Sequence, residues 1–328
     1  MSERVFCTSC SPDTTGLQVT LGTDYGASAT SLPAADFFVI TWVDHETEAL
    51  AKVLGGGKYY FNSLTGNNFT KLKIAGLPTP EGMDCQGYFM EIKINGKSVI
   101  CFSSNFHPKF NPTEAAETAT FFKGITKKGS STNYGCIITS GTAGGVWSNM
   151  DVGDVAVAVK ARFGLLVEPA SLSSLPVFNS AISPAGSNTA PGGANWFDYA
   201  NQHYIAPGTC VTTGLHSTGG RQAAGKPQIY YQETGANKLC AITDTEMSNG
   251  HSSEGTDITK YRTMGSVLEE NDAFLAQAWS QIGFTNWVSI RNISDLPNTT
   301  NKEQYQQFGY CSSLNGAYAI WAFIMGHS

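Results

Sequence analysis

The stretch IITSGTAGGVWSNMDVGDVAVAVKARFG, residues 137–164, decides the fold. Its opening, Ile137 to Thr139, is apolar and β-branched and reads as a buried strand. Gly141, Gly144 and Gly145 then interrupt the run, and without a Cβ their backbone is free to approach another group closely. After Val152-Gly153-Asp154 a second apolar run, DVAVAVKARFG, resumes strand character. A strand ending in a glycine-rich turn with free N–H groups is where an α/β sheet places its ligand.

Strand and helix signals alternate outward from this stretch. DFFVITWV (36–43) reads as a buried strand and HETEALAKVLGGG (45–57) as a helix stopped by glycines. Further strands are expected in YFMEIKI (88–94), KSVICFS (97–103), TCVTTGL (209–215), LCAIT (239–243) and WVSIRNIS (287–294). Helices are expected in PTEAAETATFFKGI (112–125) and LEENDAFLAQAWSQIG (268–283), the latter with a stripe of Leu268, Phe274, Leu275, Ala278 and Trp279. The pattern implies a three-layer α/β/α fold around a central mixed sheet. Residues 1–34, rich in Ser, Thr and Gly, read as an irregular N-terminal extension to one domain over 35–328. Long loops are expected at about 168–206 and 248–266.

Composition narrows the partners. Of 328 residues 41% are hydrophobic and 14% charged, with a net charge of −6. Arginine occurs only at 4, 162, 221, 262 and 291, so no basic patch marks a nucleic-acid or anionic-membrane partner. A small molecule or another protein is the expected partner. No apolar run reaches the roughly 18 residues of a membrane span, and MSERVFCTSC lacks the order of a signal peptide, so a soluble cytoplasmic protein is expected. The eight cysteines are scattered. Cys7-x-x-Cys10 is half a zinc site, but no second pair at ligand spacing follows, so neither metal nor cofactor is expected. Glycosylation sequons fall at Asn68, Asn292 and Asn298, and a glycan on Asn292 would block the strand end beside it.

Several catalytic signatures come close and fail. HETEA has Ala49 where a zinc-protease helix needs its second histidine, and GGGK (55–58) lacks the rest of a phosphate loop. GHSSEG (250–255) misses a nucleophile elbow by one residue. Three strand ends carry chemistry together: the glycine turn, AITDTEMSN (241–249) with Asp244 and Glu246, and VSIRNISD (288–295) with Asp295.

At these residues the chain resembles the purine nucleoside phosphorylase and methylthioadenosine (S-adenosylhomocysteine) nucleosidase superfamily. Ser140-Gly141-Thr142-Ala143-Gly144-Gly145 followed by Val152-Gly153-Asp154-Val155 is similar to its T-G-S-A-G-G and V-G-D motifs. Arg291-Asn292-Ile293-Ser294-Asp295 matches R-x-I-S-D, Asp244-Thr245-Glu246-Met247 loosely matches a (V/E/D)-M-E-A strand end, and Glu46 stands where the family has glutamates after its first strand. The resemblance implies cleavage of the N-glycosidic bond of a purine nucleoside, with water or phosphate as co-substrate, by a homo-oligomer whose subunits complete one another's pockets.

It also implies roles. Asp295 would protonate the leaving base, oriented by Ser294, and Glu46 would position and deprotonate the attacking water. Glu246 would hold the ribose hydroxyls; because it lies 49 residues before Asp295, Asp272 is the alternative ribose ligand. Gly141, Thr142 and Ala143 would face the sugar or the nucleophile. The phosphorylases' G-D-P-x-R loop and the arginine before the glycine motif are replaced here by TWVDHE and CIITSG, which favours water over phosphate. A nucleoside-binding or repurposed member of the same fold is the rival reading.

Overall fold

The computed structural model describes residues 12–62, 66–107, 112–128, 131–164, 176–203, 227–232, 239–244, 258–296 and 301–328. The principal strands are β1 (Ala35–Thr41), β2 (Gly87–Ile94), β3 (Lys97–Ser104), β4 (Tyr134–Gly145), β5 (Val155–Ala158), β6 (Lys160–Phe163), β7 (Cys240–Thr243), β8 (Val267–Glu269) and β9 (Trp287–Asp295). The helices are α1 (Asp44–Leu54), α2 (Pro112–Thr126), α3 (Trp196–His203), α4 (Ile258–Met264), α5 (Asp272–Gln281) and α6 (Asn301–Gly326).

Twelve-residue β4 is the axis of the sheet. On one flank it pairs in parallel with β9 from Ile137 to Gly144. On the other it pairs in parallel with β1 up to Thr139, then antiparallel with β8 at Gly144 and Gly145. Beyond β1 lie β3 and β2; beyond β8 lie β7 and β6; and β5 runs antiparallel against β9. The sheet is mixed, as expected.

Because side chains alternate across a strand, each central strand feeds two cores. Phe37 and Val39 join the cluster that holds α1, α3 and α6, while Phe38 and Ile40 join the one that holds α2 and α5. β4 and β9 follow suit, with Ile138, Val288 and Ile290 in the first cluster and Ile137, Trp287 and Ile293 in the second. Continuous apolar runs, with no polar face, are what a sheet covered on both sides requires.

Four sequence readings change. The run read as a helix from Leu268 is split: Val267–Glu269 is strand, and the helix starts only at Asp272. DVAVAVKARFG is two strands that turn at Val159, because β5 pairs with β9 and β6 with β7. The N-terminal stretch contributes short strands at Val19–Leu21 and Ser28–Ala29. The stretches read as loops contain Val177–Asn179, α3 and α4. The largest addition is α6, 26 residues long and unmarked by any apolar stripe. From Leu314 to Met325 every residue is buried, so polar and apolar positions do not separate by face. TCVTTGL lies outside the described residues.

Candidate active site

Pairing of β4 with β1 stops at Thr139 and pairing with β8 starts at Gly144. β9 occupies the opposite flank throughout this stretch. Among the described residues Ser140 to Ala143 therefore have no strand partner on the β1 side, and α1 fills that gap with one side chain. The Glu46 carboxylate accepts the Thr142 N–H at 2.7 Å and the Thr142 hydroxyl at 2.8 Å through Oε1. Through Oε2 it accepts the N–H groups of Trp42 at 3.0 Å and Val43 at 3.2 Å. Glu46 is the third residue of α1, and its bond to Val43 is the capping-box bond that closes a helix start. One carboxylate thus caps α1 and clamps the glycine turn.

Glycine at 141 is required by this clamp. A Cβ there would lie 2.7 Å from Glu46 Oε1, and φ is +157°. The turn is held from the other side by Asn292. With its amide oriented to satisfy both ends, the nitrogen donates to Gly141 O at 2.9 Å, and the oxygen accepts from Ser313 N at 3.2 Å and Ser312 Oγ at 2.8 Å. Asn292 is buried, so its side chain is closed to a glycan in the folded chain.

Asp295 reaches the same strand end from β9. A bulge between Ala143 and Gly144 sets Ile293 opposite Ala143 but Asp295 opposite Gly144, so Ser294 is the extra residue. Bulges re-aim side chains, and here Asp295 Oδ2 lies 3.4 Å from where a Cβ of Gly144 would stand. Thr142 and Gly144 are two residues apart and share a face, so Asp295 and Thr142 lie on that face with roughly 7 Å of strand between them. Ser294 Oγ donates to Asp295 Oδ1 at 2.6 Å. Asp295 as a residue is 8% exposed, and burial pushes its carboxyl pKa up to about 6, partly opposed by the Ser294 bond. Ala143, between Thr142 and Gly144, is buried in the α2 and α5 core and does not face the sugar as the resemblance implied.

The other carboxylates of this region meet on that α2 and α5 side. Alternation along β9 sends Ser289 and Arg291 toward α5, where Arg291 binds both oxygens of Asp272 and Ser289 donates to one of them. Arg291 also pairs with Glu269 at 3.2 Å. Glu269 in turn accepts the N–H groups of Asn271 at 2.5 Å and Asp272 at 2.8 Å and the Thr243 hydroxyl. Burial, and then the charge of Asp272, raise the Glu269 pKa. The carboxylates of Asp272, Glu269 and, more weakly, Glu46 together hold the Arg291 guanidinium above its ordinary range.

The structure therefore gathers Glu46, Gly141, Thr142, Ser294 and Asp295 at one strand end, while Asp272 is locked to Arg291 behind it. Glu246 lies outside the described residues, as do Cys7 and Cys10. Sequence reading missed Glu269 and the clamp made by Asn292. An acid inside the apolar SVLEEN run was the one signal for the former, and none pointed to the latter. Among the described residues no group of His, Cys, Asp and Glu is arranged to hold a metal ion.

No protein-family model matches the chain, and no curated protein matches it in sequence. Solved structures do match in fold. A futalosine hydrolase variant from Helicobacter pylori is 13% identical, with 88% of this chain and 98% of that one covered and a TM-score of 0.52. The 5'-methylthioadenosine/S-adenosylhomocysteine nucleosidase of the same organism is 13% identical over 89% of this chain and 98% of its own, at 0.51. The corresponding nucleosidase from S. pneumoniae, solved with a transition-state inhibitor, is 14% identical over 88% and 98%, at 0.50. The shared feature is the nucleoside phosphorylase-like α/β/α fold.

Proposed function

We propose that the protein hydrolyses the N-glycosidic bond of a purine nucleoside. The observation that carries this reading is the pairing of two carboxyl groups at the end of β4: Glu46 bound to the glycine turn, and Asp295 raised to about 6 by burial. Glycoside cleavage passes through a sugar with oxocarbenium character, so it needs an acid for the leaving group and help for the nucleophile. With its carboxyl raised to about 6, Asp295 is protonated below that pH and in part at neutrality, and gives its proton to the purine, which leaves neutral instead of as an anion. Glu246 would hold the ribose hydroxyls; the alternative, Asp272, is ruled out because both its oxygens are taken by Arg291 and Ser289.

Water is favoured over phosphate by charge. Arg291, whose guanidinium feels the charge of Glu46, is already bound to Asp272 and Glu269, and the turn itself is faced by Glu46. A phosphate dianion would meet carboxylates where a phosphorylase offers arginines.

A second reading is nucleoside binding without turnover. It is favoured by Glu46, whose two oxygens already take four protein donors. The deciding experiment is to incubate the protein with adenosine, inosine, guanosine and methylthioadenosine, with and without phosphate, and separate the products. Free base and free sugar, formed without phosphate, are expected. Sugar 1-phosphate would replace hydrolysis with phosphorolysis, and binding with no turnover would favour the second reading.

A further inference from the structure

We propose that the Thr142 hydroxyl relays the proton of the attacking water to Glu46, an inference that rests on the hydrolytic reading above. A carboxylate offers about four lone-pair positions, and the four donors from Trp42, Val43 and Thr142 occupy them all. A water molecule beside Glu46 finds no open acceptor position on it. Glu46 is also buried at 5% exposure, whereas Thr142 is only partly buried, so the hydroxyl is the more accessible of the two.

Thr142 completes the path. Its single hydroxyl proton is directed to Glu46 Oε1 at 2.8 Å, which leaves the lone pairs of Oγ1 to accept from a water. As the water oxygen bonds to the anomeric carbon, its proton passes to Thr142 Oγ1 and the Thr142 proton passes to Glu46 Oε1. The glycosidic electron pair leaves with the base, which takes its proton from Asp295. The sum is nucleoside plus water giving sugar plus base, with one proton gained by Glu46 and one lost by Asp295, restored through solvent.

The relay disturbs nothing else. Once protonated, Oε1 donates back to Thr142 Oγ1 along the same 2.8 Å line and still accepts the Thr142 N–H. Direct transfer from water to Glu46 would have to displace a Thr142, Trp42 or Val43 donor first.

The test compares Thr142→Val, which keeps the shape and removes the hydroxyl, with Thr142→Ser, which keeps the hydroxyl. Thr142→Val should lower kcat by about 10²-fold or more, as expected for loss of a proton-transfer group, with KM within a few-fold of the wild type. Thr142→Ser should recover most of that loss. The dependence of wild-type kcat on deuterium content should bow more strongly than that of Thr142→Val, since the two relay protons move together with the one that leaves Asp295. A valine variant within threefold of wild type, a serine variant as slow as the valine one, or a wild-type deuterium plot that bows no more than the valine one overturns the relay while leaving hydrolysis intact. A wild type that hydrolyses none of the nucleosides overturns both.

Discussion

Asp295 couples stability to chemistry through one proton. Its carboxyl sits near 6 against an ordinary 3.8 because burial penalises the charged form. A folded value above the unfolded one means the buried group is tolerated below about pH 4 and costs more as pH rises through about 6. The difference approaches about 3 kcal/mol in alkaline buffer. Asp295→Asn removes that charge, so calorimetry should find the variant more stable than wild type at pH 8 and no better at pH 4; a wild-type advantage at pH 8 would contradict the burial argument. In the variant, activity should move oppositely to stability. Turnover should fall as pH rises through about 6, and the variant should lose about 10²-fold or more on purine nucleosides. The loss should shrink on nitrophenyl riboside, whose leaving group needs no proton. Equal losses on both would mean a damaged pocket and no proton transfer from Asp295.

At the scale of elements, the site is set by where α1, β4, β9 and α6 meet. Glu46 ties α1 to β4, and Asn292 ties β9 to both the glycine turn and α6. Helix α6 reinforces this seam with polar residues: Gln304 Oε1 accepts the Leu296 N–H at 2.8 Å, and Asn315 Nδ2 donates to Gly153 O at 2.8 Å. Its glycines let it approach, since a Cβ on Gly316 would come within 2.8 Å of the Asn292 side chain. Asn292→Ala leaves Gly141 O and the Ser313 N–H without this partner, at a cost of about 2–4 kcal/mol. Thermal denaturation should register that loss, and kcat should fall more than KM rises, because the turn carrying Thr142 loosens. Unchanged melting would show that α6 does not brace the turn.

Across the whole molecule, residues far apart in sequence form one site: Glu46, Thr142 and Asp295 converge although about 100 and 150 residues separate them. We propose that the working form is a homo-oligomer, the expectation attached to the family resemblance. Sedimentation equilibrium should give a mass that is a multiple of 35.0 kDa. A monomer that is fully active would remove any need for a partner subunit at the pocket.

The sequence by itself determined the sheet and its chemistry-bearing end. Apolar runs such as DFFVITWV and the glycines at 141, 144 and 145 have one physical reading each, a strand buried on both faces and a backbone open to close contact. It also placed Glu46, Thr142 and Asp295 on strand and helix ends, because local pattern fixes such ends. Only the tertiary structure decided that Glu46 is spent on four donors, that Asp272 belongs to Arg291, that Glu269 is buried beside them, and that α6 exists as a brace. Those facts depend on pairing between distant segments and on burial all round a helix, and neither leaves a period in the sequence to read.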